Sequence, residues 1–167
     1  MLGTKMYGKQ MFAKQQRGLA AVEFAIIGSI VMVLLFAVFE FARAFFVYNM
    51  LEETTRRGAR LAAVCPVNDP AVRQVAVFNT SGGGSTSPVV YGLTTDNVEI
   101  TYVNDAGAVI GDPITNYDSI AYVRARIVGF QHQLLIPMFM RTFAMPSFVT
   151  TVPRESLGVS KEGVTPC

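Results

Sequence analysis

The chain has 167 residues, of which 51% are hydrophobic and 16% charged, and its formal net charge is +2. This length is enough for one domain and an appended segment. The small net charge gives no general attraction to nucleic acid, so we expect no nucleic-acid partner.

Residues 1–18, MLGTKMYGKQMFAKQQRG, are polar, basic and glycine-punctuated, and they have the composition of a leader peptide. The cations that precede the first apolar run are Lys5, Lys9, Lys14 and Arg17, and no acid accompanies them. The positive-inside rule therefore predicts that this end stays in the cytoplasm. Everything after about residue 45 is then expected on the far side of a membrane.

Residues 19–44 are predicted to form a transmembrane helix that begins near Leu19. The stretch from Phe24 to Phe39 contains no charged residue. At about 1.5 Å per residue it spans roughly 24 Å, and the flanking apolar residues extend it to the ~30 Å of a hydrocarbon core. Apolar residues occupy every face of this helix, which argues against a buried helix of a soluble core.

One acid interrupts this apolar region. Glu23 lies after LAAV and before FAII. A charged side chain near the bilayer centre costs roughly 2.5–3.5 kcal/mol on insertion scales, so its presence needs an explanation.

Residues 45–65 keep helical spacing and are predicted to form a helix that projects from the membrane. Its polar face contains two i,i+4 ion pairs, Glu52–Arg56 and Glu53–Arg57, each worth about 0.2–0.5 kcal/mol. Gly58 either permits close approach of another element or is a tolerated weak point that costs about 1 kcal/mol relative to Ala. Cys65-Pro66 ends the helical pattern.

The chain contains two cysteines, Cys65 and Cys167. Both would lie in the outer compartment, where disulfides persist. They are either bridged or two unpaired thiols, and we favour the bridge. A bridge would join the extreme C-terminus to the end of the long helix.

Residues 66–167 are expected to form a single α+β domain outside the cytoplasm. Its first element is a short helix with Asn68 or Asp69 as the N-cap and Pro70 in the first turn. Residues 79–88, NTSGGGSTSP, are predicted to be a flexible loop. The triple glycine lacks a following GK[ST], which excludes a phosphate-binding loop.

Alternating patterns predict three strands after this loop. The patterns cover residues 98–102, residues 119–130, which is the strongest, and residues 148–152. The apolar, proline-broken residues 134–146 are predicted to be a loop or short helix. The predicted fold class is therefore α+β, with a long N-terminal helix whose outer half packs on a small antiparallel sheet.

The sequence lacks an arrangement typical of catalysis. His132 is the one histidine, and two distant cysteines do not provide the spacing of a zinc site. A lone histidine is most often structural. We expect no catalytic residue, no metal, no cofactor and no small-molecule substrate, and therefore no enzyme.

Several short motifs along the first helix resemble a known family. Gly18 immediately precedes the apolar helix and Glu23-Phe24 follows five residues later, which resembles the processing site of type IV prepilins and pseudopilins. The further motifs are Glu40-Phe41-Ala42-Arg43, Arg57-Gly58-Ala59-Arg60 and the closing PRESLG (153–158). Together they are similar to the TadE family of the tight-adherence (Tad, Flp) pilus system. The resemblance is specific over residues 17–64 and weaker over residues 65–167.

The resemblance implies a pilin-like fold and a structural role. Prepilin peptidase would cut after Gly18, leaving Leu19 as the new N-terminus in the bacterial inner membrane. Glu23 and Phe24 would then guide registration with other pilin or pseudopilin subunits and the Tad assembly machinery. The C-terminal domain would lie in the periplasm or be incorporated into an extracellular pilus, where it would contribute to pilus biogenesis and adhesion.

Other interpretations remain open at the level of sequence. Glu23 could instead extend to the cytoplasmic headgroups without a further role. Glu40 and Arg43 form either an interfacial pair that fixes where the helix leaves the lipid or an intersubunit contact. The chain as a whole could be an unprocessed single-span membrane protein with a periplasmic binding module. A secreted protein cut after Ala42-Arg43-Ala44 is a third interpretation.

Overall fold

A computed structural model describes the backbone of residues 5–135, 141–160, 163–164 and 167, and the side chains from residue 18 onward except that of Ser160. The chain divides into two compact units, Met1–Ala42 and Arg43–Cys167, which we call unit 1 and unit 2.

Helix α1 (Lys5–Val64) supplies all the described secondary structure of unit 1 and the first element of unit 2. The helix begins at Lys5, so the predicted start near Leu19 is wrong. The N-terminal residues include Lys, Gln, Met and Ala, which are good helix formers, and no proline interrupts them. The prediction followed hydropathy, which changes near Leu19, whereas helix propensity does not.

Over Gly18–Val64, α1 is long and apolar enough to cross a membrane, and it is the only such helix in the described part of the chain. None of its most apolar 18-residue window is buried. This finding is one of length and composition, and the membrane span over residues 19–44 stays a prediction.

In the described residues of unit 2, one short helix and seven short strands follow the second part of α1, which makes the fold class α+β as predicted. In chain order these elements are α2 (Pro70–Ala76), β1 (Val98–Val103), β2 (Tyr122–Ile127), β3 (Gln131–Gln133), β4 (Thr142–Ala144), β5 (Val149–Pro153), β6 (Val159–Ser160) and β7 (Gly163–Val164). Two 3-10 turns, Thr95–Asn97 and Tyr117–Ser119, precede β1 and β2.

The main sheet has the order β1-β2-β5, and both pairings are antiparallel. Strands β3 and β4 pair with each other, as do β6 and β7. Alternate residues of the central strand, Val123, Ala125 and Ile127, are buried, which confirms the predicted period-2 pattern.

The core of unit 2 lies between the sheet and α1. One cluster contains Val47 and Leu51 of α1 together with Val98 and Ile127 of the sheet. A second, nearer the C-terminal end of α1, contains Ala62 and Ala63 with residues of the sheet and of the C-terminal segment. The outer half of α1 therefore packs on the sheet, as expected.

Two predicted boundaries differ from the structure. Strand β2 is shorter than residues 119–130, because a 3-10 turn precedes it and Gly129 adopts a positive φ of 65° after it. Within residues 134–146, the prediction of a loop or short helix is wrong at β4, whose backbone pairs with β3. A three-residue strand is too short to give a readable period. Residues 136–140 of this segment lie outside the described residues.

The start of α2 and the glycine-rich loop that follows this helix are both fixed by side-chain hydrogen bonds. The Asp69 carboxylate accepts a hydrogen bond from the Ala71 amide at 2.9 Å, which caps α2 as expected. In residues 79–88, the Asn79 side chain donates to the carbonyls of Gly84 and Thr86. These bonds define the backbone path of the glycine-rich loop.

Candidate functional site

The apolar surface of unit 1 is the largest candidate interaction surface. Its side chains are exposed around the helix, and Phe24 retains 78% of its accessible surface. An exposed helix surface that is almost entirely apolar is more stable among lipid or other apolar helices than in water. By length and composition, this helix could cross a membrane.

Gly18, Leu19 and Glu23 lie on this helix in the predicted arrangement. A Cβ atom added to Gly18 would meet nothing within 4 Å, so the backbone there is not covered by described residues. Leu19 and Glu23 are four residues apart, which is about one turn and roughly 6 Å along the axis. Glu23 is exposed, and no described side chain forms an ion pair with it.

The predicted boundary residues differ in environment. Glu40 is buried, with 5% of its surface exposed. Arg43, the first residue of unit 2, donates from Nη2 to the carbonyl oxygen of Gln133. This bond attaches the start of the unit 2 helix to β3. The pairing of Glu40 with Arg43 stays a prediction.

The C-terminal end of α1 is joined covalently to the end of the chain. Cys65 and Cys167 form a disulfide with a Cα–Cα distance of 5.7 Å, which lies within the normal range. The bridge favoured from the sequence is therefore present. Cys65 is fully buried, whereas Cys167 is exposed.

Residues 155–158 cap the same helix end. The amides of Glu155 and Leu157 donate to the Ala63 carbonyl at 3.0 and 3.1 Å, and the Gly158 amide donates to the Val64 carbonyl at 2.6 Å. These bonds satisfy carbonyls that a helix leaves without intrahelical partners. We call residues 155–158 together with the disulfide the C-terminal clamp.

Gly158 permits this clamp through its lack of a side chain. Its φ is +79°, and an added Cβ would lie 2.6 Å from Cγ and 2.7 Å from the nitrogen of Pro66. Sequence reasoning singled out PRESLG only as a family motif and missed its capping role. One available signal was that Cys65-Pro66 ends the helix without the usual C-terminal glycine, so its last carbonyls needed donors from elsewhere.

Gly58 faces the rest of unit 2. An added Cβ would lie 3.4 Å from the Ala76 Cβ, and 3.5 Å from both the Ala125 Cβ and the Ile100 side chain, which are ordinary contact distances. A methyl group therefore fits at this position, which favours the interpretation of Gly58 as a tolerated weak point of the helix. On the same side of the helix, the hydroxyls of Thr55 and Thr150 lie 2.9 Å apart and connect α1 to β5.

The opposite side of α1 in unit 2 contains the two predicted ion pairs. Arg56 Nη2 lies 2.5 Å from the Glu52 carboxylate, and Arg57 Nε lies 3.7 Å from that of Glu53. All four side chains are substantially exposed, so each pair contributes only about 0.2–0.5 kcal/mol.

His132 lies on β3, buried, with its ring centroid 5.1 Å from that of Phe143. It lines a pocket of about 350 Å³. Among the described residues, no group of three or more His, Cys, Asp or Glu side chains could hold a metal ion. This environment supports a structural role for His132.

Two groups in unit 2 have shifted pKa values, and the cause is structural in each. Burial raises the pKa of Tyr102, although its hydroxyl accepts a hydrogen bond from the Asn68 amide at 3.1 Å. The Thr115 hydroxyl, 2.6 Å from the Asp112 carboxylate, lowers the pKa of that exposed acid.

These features define a class of protein in which one long helix supplies an exposed apolar anchor and also packs on a small, disulfide-closed α+β unit. The model of the family described as TadE-like protein matches residues 18–60, about a quarter of the chain. The matched range runs from Gly18 to the arginine that ends the RGAR motif, and it confirms the suspected resemblance. Members of that family are structural components of pili and are not enzymes.

Neither the curated proteins nor the solved structures contain a match to the chain. The family match therefore rests on the first helix, and the sheet of unit 2 has no counterpart among these comparisons.

Proposed function

We propose that the protein is a minor, pseudopilin-like structural component of Tad/Flp pilus assembly that prepilin peptidase processes after Gly18. The observation that supports it is the placement of Gly18, Leu19 and Glu23 on an exposed apolar helix within the TadE-like match. In this proposal α1 holds the protein in the bacterial inner membrane, and unit 2 lies in the periplasm, where it contributes to pilus biogenesis and adhesion.

Cleavage after Gly18 would give Glu23 a counter-charge. The new ammonium group of Leu19 would lie about one helical turn from the carboxylate. A carboxylate in low dielectric is costly, and a paired ammonium offsets that cost, whereas removing either partner is strongly destabilising. The ammonium of a neighbouring subunit can provide the same pairing, which would set the register between two subunits.

The exposed surface around Phe24 would contact lipid before assembly and the apolar helices of other subunits afterwards. Both environments are apolar, so transfer from one to the other leaves the hydrophobic burial of α1 nearly unchanged. Charge pairing at Glu23 would then decide the register, because apolar packing alone distinguishes poorly between neighbouring registers.

The disulfide agrees with placement of unit 2 outside the cytoplasm. Disulfides form and persist in the periplasm, whereas cytosolic thiols are kept reduced. With the bridge at the end of α1, unit 2 would be covalently closed before any assembly step.

N-terminal sequencing of the full-length protein, expressed with and without prepilin peptidase, tests the proposal. We expect Leu19 as the first residue only when the peptidase is present. Gly18→Leu should abolish cleavage, whereas Gly28→Leu should not. Gly28 is a matched control because an added Cβ at this position, as at Gly18, meets nothing within 4 Å. An intact Met1 in cells with active peptidase would exclude processing.

One observation favours a second candidate, an unprocessed single-span membrane protein with a periplasmic binding module. Helix α1 continues through Gly18 without interruption. A peptidase that acts on an extended backbone would first have to unwind this turn, although glycine weakens a helix by roughly 0.5–1 kcal/mol and reduces that cost. This candidate predicts an uncut chain, and it predicts that Glu23→Ala leaves association with partner subunits unchanged.

A further inference from the structure

We propose that one surface of unit 2, formed by the exposed pocket-lining residues Phe46, Val89, Tyr91 and Leu135, lies in the phospholipid headgroup layer and positions unit 2 on the membrane. We call these four residues the interfacial patch. The proposal deepens the proposed function, because it rests on α1 crossing a bilayer.

The patch is located at the end of unit 2 that follows the apolar segment. The pocket that its residues line also includes Arg43 and Val47. Along the helix, these two residues lie within about 8 Å of Ala42, the last residue of unit 1. A headgroup layer is about 5–8 Å thick on each side of the hydrocarbon core. If the span ends near Ala42, the turn of α1 from Arg43 to Val47 lies at headgroup depth. The segments that line the same pocket, around Tyr91 and Leu135, then lie at this depth as well.

The patch has the composition typical of a membrane interface. Tyr91 is 84% exposed and Leu135 is 58% exposed, although both are large and partly or wholly apolar. Tyrosine is enriched at membrane–water interfaces, where its ring contacts the acyl boundary and its hydroxyl remains among polar groups. An aqueous surface gives no comparable stabilisation to these side chains.

Tyr91 is held outward by a defined turn. The amide of Leu93 donates to the carbonyl of Val90 at 3.2 Å, and Gly92 has a φ of +81°. Val90 and Leu93 are both buried, so the turn is anchored on either side of the exposed ring. The exposure of Tyr91 is therefore built into the backbone of this turn.

Charge around the pocket favours phospholipid over a protein partner with mixed charges. Among the described residues that line the pocket, Arg43 is the one that is charged, and none of them is acidic. Arg141, whose carbonyl accepts from the Leu134 amide, adds a second exposed cation close to Leu135. Because Arg43 Nη2 already donates to the Gln133 carbonyl, Arg141 is the cation that the proposal assigns to lipid phosphate. Arginine side chains readily hydrogen-bond phosphate, and those near a membrane boundary extend toward headgroups.

Single tryptophan substitutions can test this placement, because the chain contains no tryptophan. The probes are Tyr91→Trp and Leu135→Trp, each in the full chain reconstituted into phosphatidylcholine nanodiscs with or without bromine near the headgroup end of the acyl chains. Ile114→Trp is the control in unit 2, since Ile114 is 67% exposed and does not line the pocket. Phe36→Trp reports on the membrane span itself.

We expect brominated lipid to quench the Trp emission of Y91W and L135W, and their emission to be blue-shifted relative to that of I114W. Quenching of F36W without quenching of Y91W and L135W would overturn the interfacial patch and leave the membrane span intact. Blue-shifted but unquenched Y91W would place the residue against protein and would also overturn the proposal. No quenching at any of these positions would overturn the membrane span as well.

Discussion

Replacing Gly158 by alanine should destabilise unit 2 much more than the same change at Gly107. The two glycines have nearly the same backbone conformation, with φ values of +79° and +78°. Alanine in the left-handed region costs about 1–2 kcal/mol, and this term is common to both variants. Their surroundings differ, because an added Cβ at Gly107 meets nothing within 4 Å.

At Gly158 the added methyl group would collide with Pro66. The shortest approach is 2.6 Å to the ring carbon Cγ, and the backbone nitrogen of Pro66 lies at 2.7 Å. Backbone atoms at the end of a helix cannot move aside as a flexible side chain would. Overpacking typically costs 1–3 kcal/mol, so we expect a total loss of about 2–5 kcal/mol for G158A against about 1–2 for G107A.

The free energy of unfolding is measured on the full chain in detergent by equilibrium unfolding in guanidinium chloride. The chain has six tyrosines and no tryptophan, so near-ultraviolet circular dichroism of the tyrosines follows the packing of unit 2. Mass spectrometry under non-reducing conditions first verifies that the disulfide is intact in both variants. Equal shifts of the two midpoints would refute the role assigned to the contact between Gly158 and Pro66.

Substitutions at three further sites address other parts of unit 2. Replacing Cys65 and Cys167 together by alanine should lower the free energy of unfolding by up to about 4–5 kcal/mol, because the bridge closes a loop with a sequence separation of 102; an unchanged denaturation midpoint would contradict this. Gly58→Ala should stabilise α1 by up to about 1 kcal/mol in thermal unfolding, since a methyl group there makes only ordinary contacts, whereas Gly58→Leu should destabilise it by about 1–3 kcal/mol. Burial raises the pKa of Tyr102, so the folded state favours the protonated phenol. The contribution of this phenol to the free energy of unfolding is therefore complete below about pH 10 and is lost as the pH rises above that value. Tyr102→Phe should therefore reduce the alkaline loss of stability, at a cost near neutral pH of about 0.5–1.5 kcal/mol for the bond from the Asn68 amide; identical alkaline titrations of the two proteins would rule this out.

Elements with sustained periodicity could be predicted from the sequence. The alternation through Val123, Ala125 and Ile127 predicts a strand, and the structure places this strand at the centre of the main sheet with that face buried. Helical spacing predicts the projecting part of α1, and local chemistry predicts a cap at Asn68 or Asp69, of which Asp69 is the one observed. In each case the deciding interactions connect residues close together in the chain or repeat along one element.

Elements that depend on distant partners could not be predicted in the same way. Strand β4 has only three residues, and its strand conformation depends on pairing with β3. The buried environment of His132 is hidden in the sequence by its two glutamine neighbours, which point to the opposite, exposed face.

The C-terminal clamp could not be predicted from the sequence either, because it joins residues that are far apart in the chain. The Ser156 hydroxyl donates to the Val64 carbonyl at 3.0 Å across 92 residues of sequence, so no local rule relates the two positions. Pairing of Cys65 with Cys167 was easier to anticipate, because two cysteines allow only one intramolecular bridge.

The disulfide also sets the mechanical topology of the molecule. The Cys65–Cys167 disulfide closes residues 66–166 into a covalent ring. This ring is covalently attached to α1 at one residue, Cys65. Tension applied along α1 enters this closed ring at Cys65 and cannot extend the ring as it would a linear chain. A force on the helix can therefore shear it against the sheet, but it cannot draw the sheet out strand by strand. Unravelling of that kind requires a reductant.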